Sequence, residues 1–123
     1  MLCKNIVNYL IQATKKQGIA KISKLSDIKK RTLENWVYGE AIPSFANAIK
    51  WANGLGLKFN MSKEEMFALM KDFGLIKSAQ SSGIKVRTIR GWRYSGVEPP
   101  LDKIERIMTA ISKPLELVEK EDE

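Results

Sequence analysis

Apolar residues recur at helical spacing along most of this chain, which predicts an all-α fold. Two predicted helices, over residues 5–17 and 61–73, each carry one apolar face, formed by Ile6, Tyr9, Leu10 and Ala13 in the first and by Met66, Leu69, Met70 and Phe73 in the second. Ser62 and Glu65 have the spacing of a capping box at the start of the second helix. Both helices are expected to bury these faces against neighbouring helices.

The chain also contains an internal repeat at an offset of 56 residues. Residues 17–43 align with residues 73–99, and from Gly18 onward ten of the 26 aligned pairs are identical. The apolar patterns on both sides of this segment follow the same offset. Each copy is therefore predicted to contain four helices.

This repeat predicts two four-helix units packed together, over residues 1–57 and 58–115, followed by an acidic tail over residues 116–123. The connection over residues 54–60 is short and apolar, so the units are expected to pack on each other, with a hinge as the alternative. The tail holds five acidic residues and one Lys, which predicts a solvated, frayed segment. A tail that shields basic residues until DNA displaces it is the alternative.

Within each copy, a short helix, a three-residue break and a second helix are predicted. Gly83 stands where the chain leaves the first of these helices, because glycine adopts the left-handed conformation without steric cost. Asp27 holds the equivalent place and tolerates that conformation better than most residues. The same pattern places a small residue before each turn, Ser23 or Ala79, and an isoleucine in each turn, Ile28 or Ile84. The second helix then has an inward face formed by Leu33 and Trp36 in the first copy and by Ile89 and Trp92 in the second.

The outward face of the second helix would then be the DNA-reading surface of a helix-turn-helix. Its candidate DNA-binding residues are Lys29, Lys30, Arg31, Glu34, Asn35 and Tyr38 in the first copy and Lys85, Val86, Arg87, Arg90 and Tyr94 in the second. Arg pairs with guanine, Asn with adenine, Glu with cytosine, and an apolar residue such as Val86 meets the thymine methyl group. For Glu34, an ion pair with Lys30 one turn earlier is the alternative.

These features resemble the lambda-repressor-like or Cro-like (XRE) helix-turn-helix regulators. The family pattern has a small residue, a Gly-Val-Ser turn, a recognition helix ending in Trp-x-x-Gly and a following Pro-Ser. The first copy is similar to it at Ser23, Asp27-Ile28-Lys29, Trp36 to Gly39 and Pro43-Ser44. The second copy is similar to it at Ala79, Gly83-Ile84-Lys85, Trp92 and Pro99-Pro100. The departures are Asp27 at the turn glycine, Lys29 and Lys85 at the turn serine, and Ser95 at the later glycine. The resemblance implies phosphate contacts from the hydroxyls of Tyr38 and Tyr94; a half-buried position at the rim of the helix is the alternative for both. Family members usually carry one unit and dimerise on a palindrome, so a homodimer stays open for this chain.

Charge and the remaining chemistry agree with a DNA partner. Lys and Arg outnumber Asp and Glu by 21 to 14, and a formal charge of +7 attracts polyanions, although it also keeps a protein dispersed. Cys3 is alone and His is absent, which argues against a disulfide, a zinc site and a His-based catalytic group. With no phosphate-binding glycine loop and no run long enough for a membrane span, we expect a cytoplasmic protein that is not an enzyme and has no cofactor or metal.

The sequence thus predicts a sequence-specific, double-stranded-DNA-binding transcriptional regulator of phage, plasmid or bacterial type. One alternative is a protein-interaction module, such as an antitoxin or host-factor inhibitor, that also regulates its own promoter. Another is the DNA-positioning part of a transposition or replication machine. Because Lys30, Glu34 and Asn35 are replaced by Val86, Arg90 and Gly91, an asymmetric site is expected, unless Gly91 weakens the second helix and leaves that copy for dimerisation.

Overall fold

The computed structural model describes residues 6–120, and this part of the chain is mostly helical. Its elements are α1 (Ile6–Gln17), α2 (Ile19–Ser26), α3 (Lys30–Val37), α4 (Phe45–Gly54), β1 (Leu57–Phe59), α5 (Lys63–Phe73), α6 (Leu75–Ser82), α7 (Val86–Tyr94), α8 (Leu101–Ala110) and β2 (Leu117–Glu119). Residues 1–5, with Cys3 and the predicted helix start, and residues 121–123 of the acidic tail lie outside the described part. The helical prediction is confirmed, whereas the two short strands were not predicted.

The helices follow the sequence repeat. We call α1 to α4 the first repeat and α5 to α8 the second repeat; α2 and α6, and likewise α4 and α8, begin and end 56 residues apart. In both repeats, the second helix contacts the first, third and fourth helices of the same repeat. Two similar four-helix arrangements therefore lie along one chain.

Both predicted turn residues adopt the left-handed conformation. Asp27 has φ of 60° and Gly83 has φ of 75°, each directly after the helix that it ends. Ile28 and Ile84, the next residues, are buried at 7% and 5% exposure and close the turn on the core. In the first repeat the hydroxyl of Ser23 also donates to the carbonyl of Ile28, which ties the turn to the preceding helix.

A continuous hydrophobic core runs through both repeats. Trp36 and Trp92, which were predicted to be core residues, are 5% and 4% exposed. The ring of Trp36 lies 5.3 Å from that of Trp51, whose indole nitrogen donates to the hydroxyl of Thr14 at 2.7 Å. That hydroxyl donates in turn to the carbonyl of Leu10, so this buried polar chain is satisfied.

The predicted apolar faces of the leading helices were partly wrong. Tyr9 is 44% exposed and Phe73 is 40% exposed, whereas Val7 and Thr14 are buried. Thr14 replaces an apolar residue at no cost because its hydroxyl is paired inside the helix and with Trp51. The helix α1 is therefore rotated by part of a turn from the prediction.

The strands β1 and β2 pair antiparallel, with Leu57 opposite Glu119 and Phe59 opposite Leu117. Asn60 extends this contact, because its amide side chain donates to the carbonyl of Pro114 and accepts from the backbone N–H of Glu116. The prediction of a frayed tail was therefore wrong for residues 116–120. Leu115 is buried and Leu117 packs on the core, and this apolar pair anchors the segment despite the neighbouring acids.

Two further contacts join the repeats. Ser44 and Pro100 form an antiparallel bridge just before α4 and α8. The buried carboxylate of Glu105 on α8 accepts the backbone N–H of Ile6 at the start of α1, at 3.2 and 3.0 Å. The repeats thus pack on each other, as the apolar connection led us to expect. These contacts differ from the alternative of a free hinge between the repeats. Within residues 6–120, no helix is long and apolar enough to cross a membrane.

Candidate nucleic-acid interface

The structure places the predicted reading residues of the first repeat on one surface of α3 and its flanks. Lys29, Lys30 and Arg31 are exposed, Glu34 and Asn35 are half-buried, and Tyr38 is 65% exposed. We call this set, Lys29, Lys30, Arg31, Glu34, Asn35 and Tyr38, the first reading face. All six side chains are therefore accessible to a partner on the same side of the helix.

The second repeat presents an equivalent surface on α7. Lys85, Arg87 and Arg90 are exposed, Val86 is half-buried, and Tyr94 is 68% exposed. With Gly91 these residues form the second reading face. No described atom comes within 4 Å of a Cβ built on Gly91, so packing does not require a glycine there.

The buried sides of α3 and α7 determine which residues of each helix face solvent. Leu33 and Ile89 are fully buried, at 0% exposure, and Trp36 and Trp92 lie one turn further along each helix. Side chains three or four places apart share one side of a helix, so burial of these four directs the reading faces to solvent. The two faces are therefore set by the core rather than by flexible surface residues.

The amino-terminal end of each reading helix is unusually basic and lacks a cap. Lys29 and Lys85 occupy the N-cap positions, and among the described residues neither side chain makes a cap hydrogen bond. Lysine has no acceptor atom, so it cannot pair with the free N–H groups of the first turn. Basic residues also repel the positive end of the helix dipole, and this costs stability. The same free N–H groups and cations are well suited to bind a phosphate.

The two faces differ in charge. The first holds three cations and one carboxylate, while the second holds three cations and no carboxylate. In the described part of the chain no salt bridge joins Glu34 to Lys30, so the ion pair considered as an alternative for Glu34 is not formed. The carboxylate of Glu34 is thus available to an outside donor.

Sequence reasoning missed Arg93, which lies at the position equivalent to the buried Val37. Its guanidinium carbon is 5.1 Å from the centre of the Tyr94 ring, a cation–π contact that restrains this ring. Its Nη1 atom is buried and has no hydrogen-bond partner among residues 6–120. An arginine at an inward position of the helical period was the available signal.

No protein-family model matches this chain, and neither a comparison with curated proteins nor one with solved structures gave a match. The functional assignment of the reading faces therefore depends on their own geometry and charge. Among the described residues, no three His, Cys, Asp or Glu side chains are grouped as metal ligands.

Proposed function

We propose that the chain is a sequence-specific, double-stranded-DNA-binding transcriptional regulator of the lambda-repressor-like helix-turn-helix kind. In this proposal α2 with α3, and α6 with α7, are two helix-turn-helix units, and α3 and α7 are the recognition helices. The observation that carries it is the repetition of one arrangement: an uncapped, basic helix start, preceded by a left-handed turn and backed by a buried Trp, at both equivalent positions.

The chemistry of each face suits the major groove. The lysines at the helix starts, with the free N–H groups, would bind phosphates and set the register. Arg87 and Arg90 would pair with guanine, Asn35 with adenine and Glu34 with cytosine, while Val86 would meet a thymine methyl group. Tyr38 and Tyr94 extend beyond these residues and would donate their hydroxyls to phosphates. The protein would regulate by occupying promoter DNA in the cytoplasm.

The two faces would read different bases. Positions 29, 31 and 38 have the same residue as positions 85, 87 and 94, whereas Lys30, Glu34 and Asn35 are replaced by Val86, Arg90 and Gly91. The shared Lys and Tyr residues would contact phosphate, and the shared Arg31 and Arg87 would read the same base in both half-sites. The three differing residues would contact different base edges. We therefore propose an asymmetric site with two unlike half-sites.

Selection from a random duplex library tests this function. The chain should enrich a defined asymmetric motif, and its affinity for that motif should fall with salt because each neutralised phosphate contributes about 0.9 to the slope of log affinity against log salt concentration. Mobility-shift assays over a range of salt concentrations measure this slope. Salt-independent affinity, or no binding to any duplex, would contradict the proposal and favour a protein-interaction module that uses the same scaffold.

Replacing the lysine at the start of a recognition helix should raise the stability of the protein and lower its affinity for DNA. In Lys29→Ser the new hydroxyl can accept an N–H of the first turn, and a repelled charge is lost, so the unfolding free energy should rise by about 1 kcal/mol. Loss of a phosphate contact should reduce the salt slope by about one contact and weaken binding to all sequences alike. Urea unfolding and shift assays measure the two effects.

The matched control is Lys50→Ser, which removes an exposed Lys from within α4. It creates no N-cap, so the variant should lose a few tenths of a kcal/mol through lower helix propensity and keep the DNA affinity. Unchanged affinity in Lys29→Ser, with the expected gain in stability, would show that Lys29 does not contact DNA.

A further inference from the structure

Two backbone hydrogen bonds join the repeats, and each one is converted into the other when the residue numbers are shifted by the repeat offset. The N–H of Phe45 donates to the carbonyl of Pro99 at 2.8 Å, and the N–H of Leu101 donates to the carbonyl of Pro43 at 3.0 Å. Adding the offset of 56 to Phe45 and Pro43 gives Leu101 and Pro99. Each bond is therefore the counterpart of the other.

Ser44 and Pro100, the bridged pair between these bonds, are equivalent positions as well. When the same patch of two units meets itself, the units are related by a two-fold axis; a head-to-tail contact joins two different patches. Since the helix boundaries also agree at this offset, the axis relates α3 to α7 as well as the bridge itself. The chain is thus a pseudo-symmetric dimer in one polypeptide, with the axis between Ser44 and Pro100.

The bridge on the axis joins buried and exposed parts of the chain. Pro43, Phe45, Pro99 and Leu101, which directly precede or follow the bridged residues, are all buried. Toward the reading faces, every residue from Tyr38 to Ile42 is exposed, and so is every residue from Tyr94 to Glu98. Between each reading face and the bridge, the one buried residue is therefore a proline, Pro43 or Pro99. Both reading faces are therefore connected to the axis by exposed segments of equal length.

The length of chain between each reading face and the axis is compatible with half-sites one helical turn apart. Ser44 is six positions after Tyr38, and Pro100 is six positions after Tyr94. At about 3.5 Å per residue, each recognition helix ends within about 20 Å of the axis. Half-sites one helical turn apart, about 34 Å between centres, fall within this reach.

On the basis of the proposed function, we infer that one chain binds a duplex whose two unlike half-sites face each other in inverted orientation. A two-fold axis in the protein imposes that orientation, because the half-sites of a duplex follow the symmetry of the protein that reads them. A direct repeat would require two units related by translation. No second copy of the chain is needed, because the second repeat takes the place of a partner subunit.

The charges near the axis predict that the protein does not contact the bases between the two half-sites. Glu40 and Glu98 lie in the two exposed runs, and Lys63 neutralises only Glu98, through a salt bridge of 2.7 Å. Carboxylates repel the phosphates of a close duplex, so close contact is expected at the two reading faces and not at the centre. The bases between the half-sites should therefore tolerate substitution.

The test makes the two reading faces identical. Val86→Lys, Arg90→Glu and Gly91→Asn give the second face the residues of the first, and the open space at Gly91 admits the new side chain. The reverse triple variant, Lys30→Val, Glu34→Arg and Asn35→Gly, copies the second face onto the first. Each variant is checked for folding by urea unfolding and then used to select duplexes from a random library, with its stoichiometry on the selected site measured by sedimentation.

Each folded variant should select an inverted repeat with equal halves, bound by one chain. The two variants should enrich different half-sites, and the wild-type motif should contain one half of each kind. A direct repeat, a single half-site or two chains on each site would overturn the inverted arrangement while leaving DNA binding intact. Failure of the wild-type chain to bind any duplex would instead overturn the proposed function.

Discussion

Ionisation of Glu105 should destabilise the protein as the pH rises. Burial raises the pKa of this carboxyl from 4.5 to about 7, against the lowering effect of the hydrogen bond from the N–H of Ile6, and the charge of Asp102 raises it further. Between these two values the folded protein keeps a proton that the unfolded chain has lost. The unfolding free energy should therefore fall by about 3 kcal/mol from pH 4.5 to pH 7, and change little from this cause outside that window.

Urea unfolding of the wild-type chain and of Glu105→Gln at a series of pH values measures this effect. The neutral amide keeps an oxygen that can accept the N–H of Ile6, so the variant should match the wild type near pH 4 and be more stable at pH 8. Glu64→Gln, at an exposed carboxylate on α5, should retain the wild-type pH dependence. Parallel curves for the wild type and Glu105→Gln would show that Glu105 is not the group that titrates.

Gly54→Ala should destabilise the first repeat by about 2 kcal/mol, because overpacking of this kind displaces backbone. A Cβ at Gly54 would lie 2.7 Å from the Cβ of Ser26 and 3.0 Å from its backbone nitrogen. The close approach of α4 to α2 leaves no flexible side chain that can move aside. The strain should exceed the gain in helix propensity, which is about 1 kcal/mol.

Gly91→Ala is the matched control, since it is the same substitution at a helical glycine with open space around it. It should raise the unfolding free energy by about 1 kcal/mol. Calorimetry or urea unfolding of both variants gives the comparison. Equal effects of the two substitutions would mean that α2 and α4 are not held as closely as the structure has them.

The second repeat explains why this contact is specific to the first. Ala110 and Ser82 occupy the positions equivalent to Gly54 and Ser26, so a Cβ is already present at the end of α8. The close helix approach is therefore a property of the first repeat and not of the shared scaffold. The two repeats have diverged in packing as well as in their reading faces.

Local chemistry explains which parts of the fold were predictable. The turns at Asp27 and Gly83 follow from single residues that reach the left-handed conformation, and the inward faces of α3 and α7 follow from periodic Leu, Ile and Trp. Because the offset of 56 repeats these signals, each copy supports the interpretation of the other. The candidate reading residues were placed on the surface for the same reason, as the outward remainder of a helix whose inward side was known.

Contacts between distant parts of the chain were not predictable. Three-residue strands are too short to show alternation, and β1 finds its partner 60 residues away, so no local pattern indicated the pairing of Leu57 with Glu119 or of Phe59 with Leu117. In the sequence, Glu105 has the pattern of an ordinary surface acid, and only the structure shows its contact with the N–H of Ile6. Thr14 likewise reads as polar until its hydroxyl is seen to meet Trp51.

The covalent joining of the two repeats changes how a response would depend on protein concentration. A regulator that must first pair with a second molecule binds DNA with a steep dependence on its concentration and becomes inactive on dilution. Here the bridge between Ser44 and Pro100 and the pairing of β1 with β2 form within one molecule, at an effective concentration independent of expression level. On the proposed function, occupancy of a single DNA site should then follow a simple hyperbola in protein concentration.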